Sequence, residues 1–170
     1  MDFSITTNSP QQTIDFGQKI GSQLKGGEVV ALCGPLGSGK THLIKGIVSG
    51  LGAEDAANEV TSPTFVLVNE YLGGSTSLTA GRLDIFHVDA YRLDSIAQFE
   101  QIGFDDYCYP GSVVLIEWAD KIEKALAGID YIKIEMSHPL DFARGGELVE
   151  PLGPTARAIR ITNAPAYIRF

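Results

Sequence analysis

The apolar positions along the chain fall into two periods. Pro10 to about Leu24 places Ile14, Gly17, Gly21 and Leu24 on one face at helical spacing, with Ser9 as N-cap and Pro10 at the first helical position. Its two glycines predict close packing on a sheet. Glu28–Cys33 is a short β-branched run between Gly26-Gly27 and Gly34, the pattern of a strand buried on both faces. His42–Leu51 returns to helical spacing through Leu43, Ile44, Ile47, Val48 and Leu51, with Gly50 and Gly52 as stop signals. Ala53–Glu59 is acidic and reads as a surface loop, Phe65–Tyr71 as an alternating strand, and Leu72–Gly81 as a small, polar hairpin connection. Further strands follow at Leu83–Val88 and Val113–Ile116, with a short helix at Ser95–Ile102 between them. Tyr131–Ser137 and Ala158–Thr162 alternate apolar and polar residues, and Glu147–Glu150 is expected to pair with them. Strands alternating with helices predict an α/β fold with a mostly parallel central sheet flanked by helices, and antiparallel strands added in the C-terminal third.

A chain of 170 residues without an internal repeat fits one domain, residues 1–170. No apolar stretch approaches the roughly 20 residues that span a bilayer, and MDFSITTNSP lacks a signal peptide's layout, so a cytoplasmic location is expected. Cys33 and Cys108 suggest neither a disulfide framework nor a zinc site. The net charge of −8 opposes autonomous binding to nucleic acid, because phosphate backbones are held by clustered Lys and Arg. Any RNA is expected to be held by a partner.

The candidate chemistry begins at CGPLGSGKTH. Gly34, four residues, then Gly39-Lys40-Thr41 is the spacing of a phosphate-binding loop, and it sits between a predicted buried strand and a predicted helix. Gly34, Gly37 and Gly39 let backbone N–H groups approach phosphate oxygens, and the following helix adds its free amides and positive dipole end. Lys40 supplies a point charge for the terminal phosphates. Thr41 supplies a hydroxyl for Mg2+, which keeps most of its water and needs few protein oxygens.

Such a loop needs an acid to orient the metal or the attacking water. Asp89 closes LDIFHVD and Glu117 closes VVLIE, both at carboxyl ends of strands, the edge where open parallel sheets bind ligands. Four apolar residues before Glu117 place its strand next to that of the phosphate loop. Either acid could orient the water. His87, two residues before Asp89, is a packed side chain or a proton carrier, and Trp118 is either core or a stacking surface for adenine. Thr61-Ser62-Pro63-Thr64-Phe65 lies where nucleotide switch proteins place a threonine that senses the terminal phosphate, which makes Thr64 a candidate; an ordinary proline turn is the alternative.

Taken in order and spacing, GPLGSGKTHLIKG, VTSPTFVLVNEY, FHVDAYRLD and LIEWADKIE resemble the bacterial TsaE (YjeE) family, over about Phe3 to Glu123. The resemblance implies a P-loop NTPase fold, ATP with Mg2+, and an ATPase that supports tRNA threonylcarbamoyladenosine modification together with the TsaD and TsaB proteins, which carry out the transfer. It implies that Gly37, Ser38, Gly39, Lys40, Thr41 and His42 wrap the phosphates. Thr41 and Glu117 would hold Mg2+, Asp89 would serve the nucleotide or its water, and Ser9 would lie near the base. The family's EW pair usually continues with proline and glutamate, whereas Ala119-Asp120 follows here. A C-terminal arginine that usually follows glycine is replaced by Pro154 after Gly153, leaving Arg157 or Arg160 to take its place. Two alternatives compete with the ATPase. A small-molecule P-loop kinase needs an arginine-bearing lid, yet no arginine occurs between Arg92 and Arg144. A nucleotide-dependent interaction module would use ATP only to order the SPTF segment.

Overall fold

The computed structural model describes residues 2–53, 55, 60–63, 67–75, 82–93, 95–138 and 154–170. Its centre is β2 (Val29–Cys33), every residue of which is buried, as the VVALC run requires. The other strands are β1 (Phe3–Thr7), β3 (Val68–Ser75), β4 (Arg82–Asp89), β5 (Ser112–Glu117), β6 (Tyr131–Ser137) and β7 (Arg157–Thr162). They form one seven-stranded sheet in the order β1-β7-β6-β2-β5-β4-β3. β6, β2, β5 and β4 are parallel neighbours, whereas β3 on β4, β7 on β6 and β1 on β7 are antiparallel.

The mixed α/β sheet, parallel in its middle, follows the expectation, and β7 is an antiparallel C-terminal addition, whereas β6, expected to be another, joins β2 in parallel. Antiparallel pairing is not confined to that third, however. β1 was not anticipated, because FSITT offers only Phe3 and Ile5 as apolar positions and its pairing with β7 lies far along the chain. β3 continues to Ser75, so Leu72 to Ser75 are strand rather than hairpin connection. The glycines there serve packing: Gly74 N–H donates to Leu51 O at 2.7 Å, and a Cβ on Gly73 would stand 2.8 Å from the same carbonyl. Positions 64–66, 76–81 and 147–150, and most of the 53–59 loop, lie outside the described residues.

The helices are α1 (Pro10–Gly21), α2 (Lys40–Gly50), α3 (Ile96–Gln101) and α4 (Phe104–Tyr107), with 3-10 turns at Ala90–Arg92 and Ala119–Ile122. Ser9 caps α1, its Oγ accepting from Gln12 N at 3.1 Å. Gly17 and Gly21 do permit a close approach, but to α2 rather than to the sheet. A Cβ on Gly17 would lie 2.3 Å from Leu43 O, and one on Gly46 would lie 2.1 Å from Ile14 O. Strand parity then divides the interior. Val30, Leu32, Leu83, Ile85, Val113 and Leu115 meet α1 and α2 on one face, and Val29, Ala31, Phe86, Val88, Val114 and Ile116 meet Phe99, Phe104 and Leu126 on the other.

Candidate active site

The loop between β2 and α2 turns on glycines at Gly34 (φ 142°), Gly37 (φ 77°) and Gly39 (φ 95°), a left-handed backbone that a side chain would strain. The turn brings the Lys40 side chain back over its own loop. Nζ donates to Gly34 O at 2.8 Å and Pro35 O at 3.0 Å, stands 3.8 Å from the centre of the Trp118 ring, and leaves Lys40 only 4% exposed. Burial lowers the ammonium's pKa below the ordinary lysine value of 10.5, against the opposing pull of Glu117, Asp120 and Asp89.

The parity that directs Leu83 and Ile85 toward α2 directs His87 and Asp89 the same way, and on the adjacent β5 it does so for Glu117. Asp89 and Glu117 are register partners at the carboxyl ends of the parallel pair. Thr41, in the first turn of α2, reaches across to this edge: its Oγ1 donates to Glu117 Oε1 at 3.0 Å, with Oε2 at 3.3 Å. His87 Nε2 lies 3.0 Å from the same Oε1. Asp89 accepts from Tyr91 N at 2.8 Å and from the Ser62 hydroxyl. His87, Asp89 and Glu117 are buried.

A cavity of about 520 Å³ opens above this edge, a volume ordinary for a small-molecule site. Gly37, Gly39, Lys40, Thr41, His42, Glu117 and Trp118 line it, so most of the predicted site residues converge on one space. Ser38 is buried beneath the loop, Gly34 opens it, and Asp89 lies behind Ser62 and Tyr91. Ser9 is not a lining residue, since its side chain caps α1; Pro10 and Thr13 take that position. Thr64 lies outside the described residues. Of the two candidate arginines near the C-terminus, Arg157 lines the cavity and its Nη2 donates to Gly37 O at 3.0 Å, whereas Arg160 stands 3.9 Å from Asp2.

Leu36, Ser62, Tyr91 and Thr155 also line the cavity without having been singled out individually for it. Thr155 donates to Asn8 O at 2.7 Å, fastening the chain before β7 to the start of α1, a contact that no local pattern signals. Thr13 had a signal, one turn along α1 from Pro10 and so on the same helix face. Among the described residues no group of three His, Cys, Asp or Glu forms a metal cluster, and no helix is long and apolar enough to cross a membrane. A divalent cation here would draw on few protein oxygens. Thr41 Oγ1 and Glu117 fit that demand: a hydroxyl that spends its hydrogen on Glu117 keeps lone pairs for a hard cation.

The family model for "Threonylcarbamoyl adenosine biosynthesis protein TsaE" matches residues 7–144. The tRNA threonylcarbamoyladenosine biosynthesis protein TsaE of Treponema pallidum is 38% identical over 120 residues, covering 71% of this chain and 81% of that protein. Its Bacillus subtilis counterpart is 36% identical over 120 residues, 71% and 68% of the two chains. The crystal structure of Bacillus subtilis YdiB superposes with a TM-score of 0.64 at 26% identity, covering 95% of this chain and 84% of that one. With the family model spanning most of the sequence and its matched segment carrying the glycine loop, Asp89 and Glu117, this chain belongs to the TsaE family of tRNA threonylcarbamoyladenosine biosynthesis proteins.

Proposed function

We propose that this chain is a cytoplasmic ATP-binding and ATP-hydrolysing subunit that supports tRNA threonylcarbamoyladenosine modification. It works as a single P-loop NTPase domain over residues 1–170, with Mg2+ and with the TsaD and TsaB proteins. The observation that carries this reading is the Thr41–Glu117 hydrogen bond beside buried Lys40, at the carboxyl edge of parallel strands.

In this reading the N–H groups of residues 37–42 and the start of α2 bind the phosphate oxygens. Lys40 leaves the Gly34 and Pro35 carbonyls to neutralise the terminal phosphates, and Trp118 covers that end of the cavity. Pro10, Thr13, Thr155 and Arg157 receive the nucleoside. Mg2+, when bound, neutralises charge on the terminal phosphates; Thr41 and Glu117 are the residues that would hold it. Asp89 or Glu117 orients the attacking water. With a net charge of −8, the chain leaves tRNA to its partners.

Catalysis waits for those partners. Arg157, the arginine lining the cavity, spends its guanidinium on the carbonyls of Gly37, Pro154 and Ala156. A cation supplied to the transferring phosphoryl group contributes about 10³ to 10⁵ in rate. Steady-state phosphate release is the test, from the chain alone and then with TsaD and TsaB. Slow release that the partners accelerate is expected, and many unaided turnovers per second, unchanged by partners, would refute the dependence. A second reading, a nucleotide-dependent interaction module, draws on the Ser62–Asp89 hydrogen bond, which ties residues 60–63 to a site acid. ATP binding without release under any condition would favour it.

A further inference from the structure

On the face of β4 that meets α2, Leu83 and Ile85 are fully buried and apolar, and His87 follows them at the next position, also fully buried. An imidazole here must be justified by its bonds, because a buried polar group without a partner is destabilising. One nitrogen has a partner: Nε2 lies 3.0 Å from Glu117 Oε1. The other, Nδ1, is a buried side-chain atom with no hydrogen-bond partner among the described residues. Packing alone would be served better by an aliphatic side chain.

We propose that His87 is a positioning residue for Glu117, holding its carboxylate for the cation that Thr41 and Glu117 would share. The inference rests on the proposed magnesium role of those two residues. An ionised carboxylate only accepts hydrogen bonds, so Nε2 carries the hydrogen and donates it to Oε1. Thr41 donates to the same oxygen at 3.0 Å. Two donors from different elements, β4 and α2, therefore fix Oε1 and with it the plane of the group. Among the described residues Oε2 has the longer 3.3 Å contact with Thr41 and no other hydrogen bond, which makes it the oxygen to serve the cavity. Partners of this kind orient a metal ligand, and their loss typically lowers metal affinity or activity about 10–100-fold.

The test uses the full chain carrying H87Q, H87N or H87L. Gln places an N–H near the reach of Nε2, Asn falls short of it, and Leu repeats the apolar choice of the rows below. Affinity for ATP is measured in EDTA and in Mg2+, alongside thermal melting of the nucleotide-free protein. Affinity in EDTA should stay within about twofold of wild type in all variants, because the hydrogen bond of His87 is to Glu117, which without a metal meets the phosphate-binding residues through the Thr41 hydroxyl and not through their N–H groups. The tightening produced by Mg2+ should shrink about tenfold or more in H87N and H87L and be largely restored in H87Q. If H87L fails to fold, the comparison of H87Q with H87N decides. Mg2+ tightening equal in wild type, H87Q and H87N overturns the role of His87 alone. Wild type that binds ATP no more tightly in Mg2+ overturns the magnesium reading, and this inference with it.

Discussion

Replacing Lys40 by methionine should move stability and nucleotide affinity in opposite directions. Lys40 is 4% exposed, and its ammonium lies against the Gly34 and Pro35 carbonyls and the Trp118 ring. Unit charges about 4 Å apart at an effective dielectric of about 20 attract by about 4 kcal/mol. Bound phosphate must replace the carbonyl and ring contacts, so roughly half of that survives, about 2 kcal/mol or a 30-fold loss in ATP affinity for K40M. Stability goes the other way. Burial holds the folded pKa of Lys40 below its ordinary 10.5, so the folded chain binds that proton more weakly than the unfolded chain does. The resulting destabilisation is complete below the folded pKa and fades as pH rises from there toward 10.5. K40M removes it and releases two carbonyls, that of half-buried Gly34 and that of Pro35 on the exposed stretch of the loop. Melting at neutral pH should therefore rise by about 2–4 °C for each kcal/mol recovered, with the difference from wild type narrowing at alkaline pH. Trp118 is the sole tryptophan and touches Lys40, so its fluorescence reports ATP titrations directly. Affinity within about threefold of wild type, or a lower melting temperature, would refute the reasoning.

Glu117→Gln keeps the side chain's shape and removes its charge, so nucleotide should remain bound while phosphate release falls about 10²–10³-fold; wild-type turnover would remove Glu117 from the mechanism. Gly46→Ala would put a methyl 2.1 Å from Ile14 O and force α1 away from α2. A loss of about 3 kcal/mol, some 6–12 °C in melting temperature, is expected, and an unchanged melt would contradict the close helix crossing. The isolated chain, at net charge −8, should bind tRNA no better than about micromolar and lose that binding at moderate salt, which filter binding across a salt series checks. Submicromolar, salt-resistant binding would overturn the view that partners hold the RNA.

What local pattern encodes was legible in the sequence. The VVALC run gave a central strand because an all-apolar strand has no face for water. SP at the start of α1 gave the cap and first turn because Ser9 and Pro10 act within a few residues of themselves. Features fixed by distant chain were not legible. β1 owes its strand to β7, some 150 residues on, and the glycine pair at Gly73-Gly74 reads as a turn until the end of α2 is seen beside it. Gly17 and Gly21 announced a close approach without naming the surface approached, since a missing Cβ says only that something comes near.

The site divides along the same line. Asp89 and Glu117 were legible as strand-end acids, and period-2 alternation puts His87 and Asp89 on one face of β4. Alternation cannot say which neighbour His87 meets. That depends on the parallel register in which His87 stands opposite Leu115 and Asp89 opposite Glu117, so the imidazole lies one pair below the acids and reaches Oε1 diagonally. Register is a property of two strands and is set by the whole sheet. The signal for His87 was therefore present but incomplete: a polar residue closing an apolar row marks a place where something other than packing is required, and only the fold names Glu117 as its object.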